Sequence, residues 1–127
     1  MSNAKHHTRT LIILLIILGA ALLLRSLNLE RGFWSDEIAT YRGANQTFYH
    51  TLIHRIFPLY YLICHFVLYF TDAAWALRLP SVLFGVAGCW AIYLFGRSIA
   101  GRPAGLTAAA LLAVSPYHIL HSEDARY

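Results

Sequence analysis

Residues 11–24 form an unbroken run of leucine, isoleucine, alanine and one glycine, preceded by Lys5 and Arg9 and followed by Arg25. From Thr10 to Leu27 the segment has 18 residues, about 27 Å of helix at ~1.5 Å per residue, close to the ~30 Å of a hydrocarbon core. It reads as a transmembrane helix with Arg25 snorkelling outward. No small-x-small cleavage site precedes Arg25, so a retained signal anchor is expected rather than a removed signal peptide. Three further apolar runs follow at 56–70, 79–95 and 104–120. The first covers about 22 Å if helical, short for a crossing, and contains His65, so it is expected to lie along the interface. The second, studded with Gly85 and Gly88, and the third, ending at Ser115-Pro116, are long enough to span.

Between the first span and the short run, residues 35–55 read as a surface helix. Ser35 is the expected N-cap, with Asp36 and Glu37 in the first turn where they favour the helix dipole. Ile38, Tyr41, Phe48, Leu52 and Ile56 recur at near-helical spacing, while Arg42, Gln46 and His50 fall elsewhere on the wheel. Such a helix would lie in the membrane interface.

The pattern predicts an all-α integral membrane chain with three transmembrane helices, four being the alternative if 56–70 crosses. Its expected parts are a cytoplasmic start at 1–9, spans at 10–27, 78–96 and 104–120, an external loop at 28–77, a cytoplasmic loop at 97–103, and the beginning of a second external loop at 121–127. Lys5, Arg9, Arg97 and Arg102 then lie inside. The six acids, Glu30, Asp36, Glu37, Asp72, Glu123 and Asp124, lie outside, in the sense of the positive-inside rule.

Composition sharpens this reading: 58% of the 127 residues are hydrophobic and 13% charged, against ~25% charged in soluble domains. The formal charge of +4 comes without a basic block or aromatic-interleaved stripe, so it points to membrane orientation and not to nucleic acid. Cys64 and Cys89 sit in apolar runs without C-x-x-C spacing and are expected to be unpaired.

The candidate chemistry is interfacial. Asp36-Glu37 and the Glu123-Asp124 pair each begin where a span ends, and facing one another they could hold a hydroxyl or amine nucleophile and take its proton. His54, Arg55, Tyr60, Arg78 and Arg126 are candidates for binding a phosphate at headgroup level. Interfacial anchoring by such cations and tyrosines is the plain structural alternative. His118 and His121 with Glu123 or Asp124 offer metal donors but close no ligand set, so no metal residue is assigned and a divalent ion stays open as a cofactor.

These motifs together resemble the amino-terminal part of a GT-C glycosyltransferase, closest to the family 39 group of protein O-mannosyltransferases and lipid A aminoarabinose transferase-like proteins. The resemblance rests on Phe33-Trp34-Ser35-Asp36-Glu37, Pro58-Leu59-Tyr60-Tyr61, Leu77-Arg78-Leu79-Pro80-Ser81 with Gly85, and Ser115-Pro116 leading into Ser122-Glu123-Asp124-Ala125-Arg126-Tyr127. It implies a GT-C-like helical bundle with juxtamembrane helices in the first external loop. It also implies sugar transfer from a polyprenyl-phosphate donor to a lipid, glycan or protein acceptor, on the extracytoplasmic face of a bacterial inner membrane. Asp36 would be the base or would position the acceptor, with Glu37 beside it. Since such enzymes are several times longer, the resemblance also implies a truncated chain that is inactive alone. The competing readings are a small membrane assembly protein and part of a lipid-linked-sugar transporter. A transporter should carry ionisable residues within its spans, whereas here they gather at one interface.

Overall fold

The structure is a computed structural model describing residues 2–30, 32, 34–46, 49 and 58–125, with side chains from His7 onward. Its helices are α1 (Ser2–Ser26), α2 (Ser35–Ala44), α3 (Pro58–Leu68), α4 (Ala74–Ala113) and α5 (Pro116–Glu123). Among the described residues there is no strand.

The 40-residue α4 is one element in its hydrogen bonding but two helices in space. Ala100 (φ −131°, ψ 18°) and Gly101 (φ 84°, ψ −179°) leave the helical region, and the positive φ at Gly101 is a conformation that L side chains resist. Beyond the turn the chain folds back. Tyr93 packs beside Ala109 and Cys89 beside Ala113, pairs that a straight helix would hold far apart. The two arms touch most closely at glycine: a Cβ on Gly105 would stand 2.5 Å from the Tyr93 carbonyl oxygen and 2.9 Å from the Arg97 nitrogen. Small residues permit this approach where lipid tails leave little hydrophobic drive between helices. Gly105→Ala is therefore expected to force the arms apart and to destabilise the hairpin by about 1–3 kcal/mol. Unfolding in detergent measures it; an unchanged midpoint would mean that the arms yield freely.

α1 lies antiparallel to the first arm and parallel to the second, with Leu14 against Tyr93 and Ala109, and Ala21 against Cys89 and Ala113. Where α1 meets the two arms, Ala21, Cys89, Ala109 and Ala113 are buried with Leu14 and Tyr93, while Leu15, Ile16, Leu23, Leu83, Phe84, Phe95 and Leu111 face outward. That is the distribution expected of helices solvated by lipid. α1 and α4 are long and apolar enough to cross a membrane. α3 has 11 residues, about 16 Å. It packs against α2 and the start of α4 around Ala44, Cys64 and Leu77. Both cysteines are free and buried.

Three local expectations are corrected. Arg25 does not snorkel: it is wholly buried. Pro116 has no N–H to give to the Leu112 carbonyl, and the chain breaks at Ser115. Arg25 fills the gap from α1: Nη1 donates to the Ala113 carbonyl at 3.1 Å and Nη2 to the Leu112 carbonyl at 3.3 Å and to His118 Nδ1 at 2.7 Å. Carbonyls freed inside a desolvated bundle hold the guanidinium more firmly than the interface does. The second correction is at α2, whose N-cap is Trp34 rather than Ser35 and which ends at Ala44. Its inward face is Glu37, Thr40, Gly43 and Ala44, while Ile38 is exposed, so an ionic contact at Glu37 together with the packing of Tyr41 and Ala44 against α3 sets its orientation. Phe48, His50, Leu52 and Ile56 lie outside the described residues. Third, α4 begins at Ala74 and carries Pro80 inside the helix, so Arg78 lies on a buried helical turn rather than at a headgroup-facing start.

Candidate functional site at the acidic end of the bundle

The antiparallel arrangement brings α2 and α5 together at one end. Glu37 is their hinge. It is 1% exposed, and Arg78, from the first turns of α4, is 0% exposed. Arg78 Nε donates to Glu37 Oε1 and Nη2 to Oε2, both at 2.7 Å, a two-point clamp. The same carboxylate accepts the Ala125 N–H at 3.0 Å and the Trp34 N–H at 3.1 Å. Burial pushes the Glu37 carboxyl up, but the hydrogen bonds from Arg78, Ala125 and Trp34 and the Arg78 charge outweigh it and hold the group at about 2. Arg78 also donates to the backbone carbonyls of Leu29 at 2.5 Å and Gly32 at 3.2 Å. One ion pair thus joins the end of α1, the start of α2, the start of α4 and the end of α5.

Beside it opens a pocket of about 290 Å3, lined by Trp34, Ser35, Asp36, Glu37, Leu120, His121 and Asp124. That is near the small end of the ~300–1,000 Å3 common for small-molecule sites. Asp36 is exposed and Asp124 half-buried. The His121 ring stands edge-on to Tyr117, with centroids 4.3 Å apart. The lining includes no arginine or lysine among the described residues. No three of histidine, cysteine, aspartate and glutamate converge among those residues to hold a metal ion.

The family model for dolichyl-phosphate-mannose-protein mannosyltransferase matches residues 56–123, more than half of the chain. The chain belongs to this mannosyltransferase family. Comparison with curated proteins finds no match, and comparison with solved structures finds none. The family is one of glycosyltransferases, and together with the apolar helices it makes this an integral membrane protein. The matched residues run from before α3 to the end of α5, so in this mannosyltransferase-family chain they include Tyr60, Arg78, His121 and Glu123, while Asp36, Glu37 and Asp124 lie outside them.

The structure brings Asp36, Glu37, Arg78 and Asp124 to one end of the bundle, though not as four equivalent groups. Asp36 and Asp124 line the pocket. Glu37, expected to be catalytic, and Arg78, expected to meet a phosphate, are committed to each other. Glu123 is 3% exposed, lies outside the pocket lining and accepts from Asn28 Nδ2 at 3.4 Å. The Tyr60 hydroxyl shares a 2.7 Å hydrogen bond with Ser81 Oγ, tying α3 to α4 away from the pocket. His54, Arg55 and Arg126 fall outside the described residues. Leu120 is a pocket residue that sequence reasoning did not select, while Trp34 entered only as part of the family motif and His121 only as a possible metal donor. The signal available for His121 was its place three residues before Asp124, on the last turn of a proline-started helix.

Proposed function

We propose that this end of the bundle is the acceptor side of a glycosyl-transfer site that uses a polyprenyl-phosphate sugar donor on the extracytoplasmic face. The observation that carries the reading is the contrast between adjacent carboxylates. Both line an acidic pocket with Asp124 and His121, but Glu37 is buried in an ion pair with Arg78, whereas Asp36, one residue away, is exposed. Such a lining suits an approaching hydroxyl or amine better than a donor phosphate.

In the proposed step Asp36 orients the acceptor and takes its proton as its oxygen or nitrogen attacks the anomeric carbon. The bond from that carbon to the phosphate oxygen breaks, and polyprenyl phosphate leaves with the electron pair. Stabilising that anion requires cations, and His54, Arg55 and Arg126 are the residues proposed for it. Arg78 is assigned a different task from phosphate binding, since turning it outward would leave the Glu37 carboxylate buried without its cation. Asp124 and His121 complete the acceptor wall, and Glu37, Arg78, Tyr60 and Glu123 hold the wall in place. A bacterial inner membrane, with the amino terminus cytoplasmic, is the proposed setting.

The test is labelling on intact cells with a membrane-impermeant maleimide, using Ser35→Cys and His121→Cys in a background free of Cys64 and Cys89. Both replaced positions are exposed at the pocket. Labelling of both from outside is expected. Labelling of neither without permeabilisation, or of only one, would sink an extracytoplasmic acceptor site.

A further inference from the structure

The opposite end of the bundle carries its own pocket, between the start of α1 and the α4 turn. It has a volume of about 160 Å3 and is lined by His7, Thr10, Leu11, Leu14, Trp90, Tyr93, Leu94, Arg97 and Arg102. We propose that this pocket binds the phosphate of an anionic phospholipid in the adjoining leaflet.

Three features carry the assignment. First, the fixed charge is of one sign: Arg97 and Arg102 supply it, and no carboxylate among the described residues belongs to the lining. The turn itself brings these cations together. The positive φ of Gly101 and the close approach of Gly96 to Gly105 reverse the chain so tightly that Arg97 and Arg102 line one pocket with His7 of α1. Second, the lining is graded along the helices. Arg97 and Arg102 flank the turn, Tyr93 lies one turn deeper along the arm and Trp90 about two, with Leu11 and Leu14 opposite on α1. A charged mouth above an aromatic and aliphatic floor matches a phosphate with its less polar ester linkage below it, and basic recesses between transmembrane helices are suited to such headgroups. Third, the size is right for part of a ligand. At about 160 Å3 the pocket is below the ~300–1,000 Å3 of sites that engulf a small molecule, so a phosphate and its immediate linkage enter while the chains stay outside. Trp90 and Leu94 are exposed toward that outer side. Guanidinium groups suit the contact because their forked donors match phosphate oxygens two at a time.

The inference does not rest on the transfer reaction. The proposed orientation enters only in naming the leaflet, which would be the cytoplasmic one.

Titration of the purified 127-residue chain in detergent with phosphatidylglycerol and phosphatidylcholine of equal chain length, read by native mass spectrometry, tests it. Phosphatidylglycerol should bind about tenfold or more tightly than phosphatidylcholine, and the Arg97→Gln/Arg102→Gln pair should erase the difference. Arg9→Gln, at an exposed position outside the pocket, should leave it intact. If the double variant does not fold, Arg97→Gln alone, also at an exposed position, should still weaken phosphatidylglycerol several-fold. Equal binding of the two lipids would overturn the proposal, as would equal loss in Arg9→Gln, which would mark bulk charge rather than a site. Displacement of phosphatidylglycerol by inorganic phosphate at comparable concentration would assign the pocket to the free anion and overturn the lipid assignment.

Discussion

Arg78→Met should loosen the end of the bundle where α2 and α5 meet and cost about 3–5 kcal/mol, the scale for removing one partner of a buried ion pair. The expectation follows from what Arg78 leaves behind. Glu37 would remain 1% exposed, with two backbone N–H donors but no cation, and a buried carboxylate without a countercharge is strongly disfavoured. Because the pair joins four segments, its loss should appear as protease sensitivity between residues 28 and 73 before the α1 and α4 hairpin gives way. Glu37→Gln should be of similar size, since it strands the arginine instead. The Glu37→Leu/Arg78→Met double variant should recover part of the loss, because matched apolar groups need no partner. Denaturant unfolding of the four proteins in detergent measures the cycle. Single variants within about 1 kcal/mol of wild type would show that the pair is solvated in the membrane-bound protein.

The same carboxylate sets an acid limit. Its folded value is depressed from 4.5 to about 2, so its contribution is complete above the unfolded value and disappears as the pH falls through the folded one. This end of the bundle should thus hold its stability down to about pH 5 and lose it between there and about pH 2.

The second large effect is on turnover. In a transfer-competent polypeptide carrying this segment, Asp36→Asn should lower the rate of sugar transfer by about 10²- to 10⁴-fold, the usual worth of a positioned general base. Its effect on stability should stay near ~0.3–1 kcal/mol, because Asp36 is exposed and contributes mainly a charge at the first turn of α2. This separates it from its neighbour. Glu37→Gln should lose activity together with folded protein, whereas Asp36→Asn should lose activity at wild-type levels of folded protein. Transfer near the wild-type rate in Asp36→Asn would remove that residue from the proposed step.

Periodicity alone made much of the bundle legible. The apolar runs at 11–24 and 79–95 are helical, the run at 104–120 is helical on either side of a break at Val114-Ser115, the chain reverses at Ala100-Gly101 within 97–103, and α3 is a short apolar helix. These features follow from composition per turn and from chain reach, which are local quantities. The candidate site was legible as a neighbourhood: Asp36-Glu37 and Glu123-Asp124 were expected to face each other, and Asp36 and Asp124 do line one pocket. What could not be read was which carboxylate pairs with Arg78. Asp36 and Glu37 are chemically equivalent neighbours in the sequence, and their roles diverge only because a helix rotates successive residues by about 100°. That rotation sends Glu37 into the interior, where Arg78 waits.

Arg25 gives the same lesson from the other side. An arginine at the end of an apolar run is expected to reach for the headgroups, and its own helix offers nothing better. The alternative partners are carbonyls 87 and 88 residues away, exposed by a proline whose effect was visible but whose position in space was not. The sequence by itself determined that this is a membrane chain of apolar helices with its acids collected beyond their ends, because burial of apolar surface and helix length act residue by residue. The tertiary structure decided which of its charges are structural and which face a pocket, because an ion pair across 41 residues depends on how the helices pack and on nothing encoded in either neighbourhood alone.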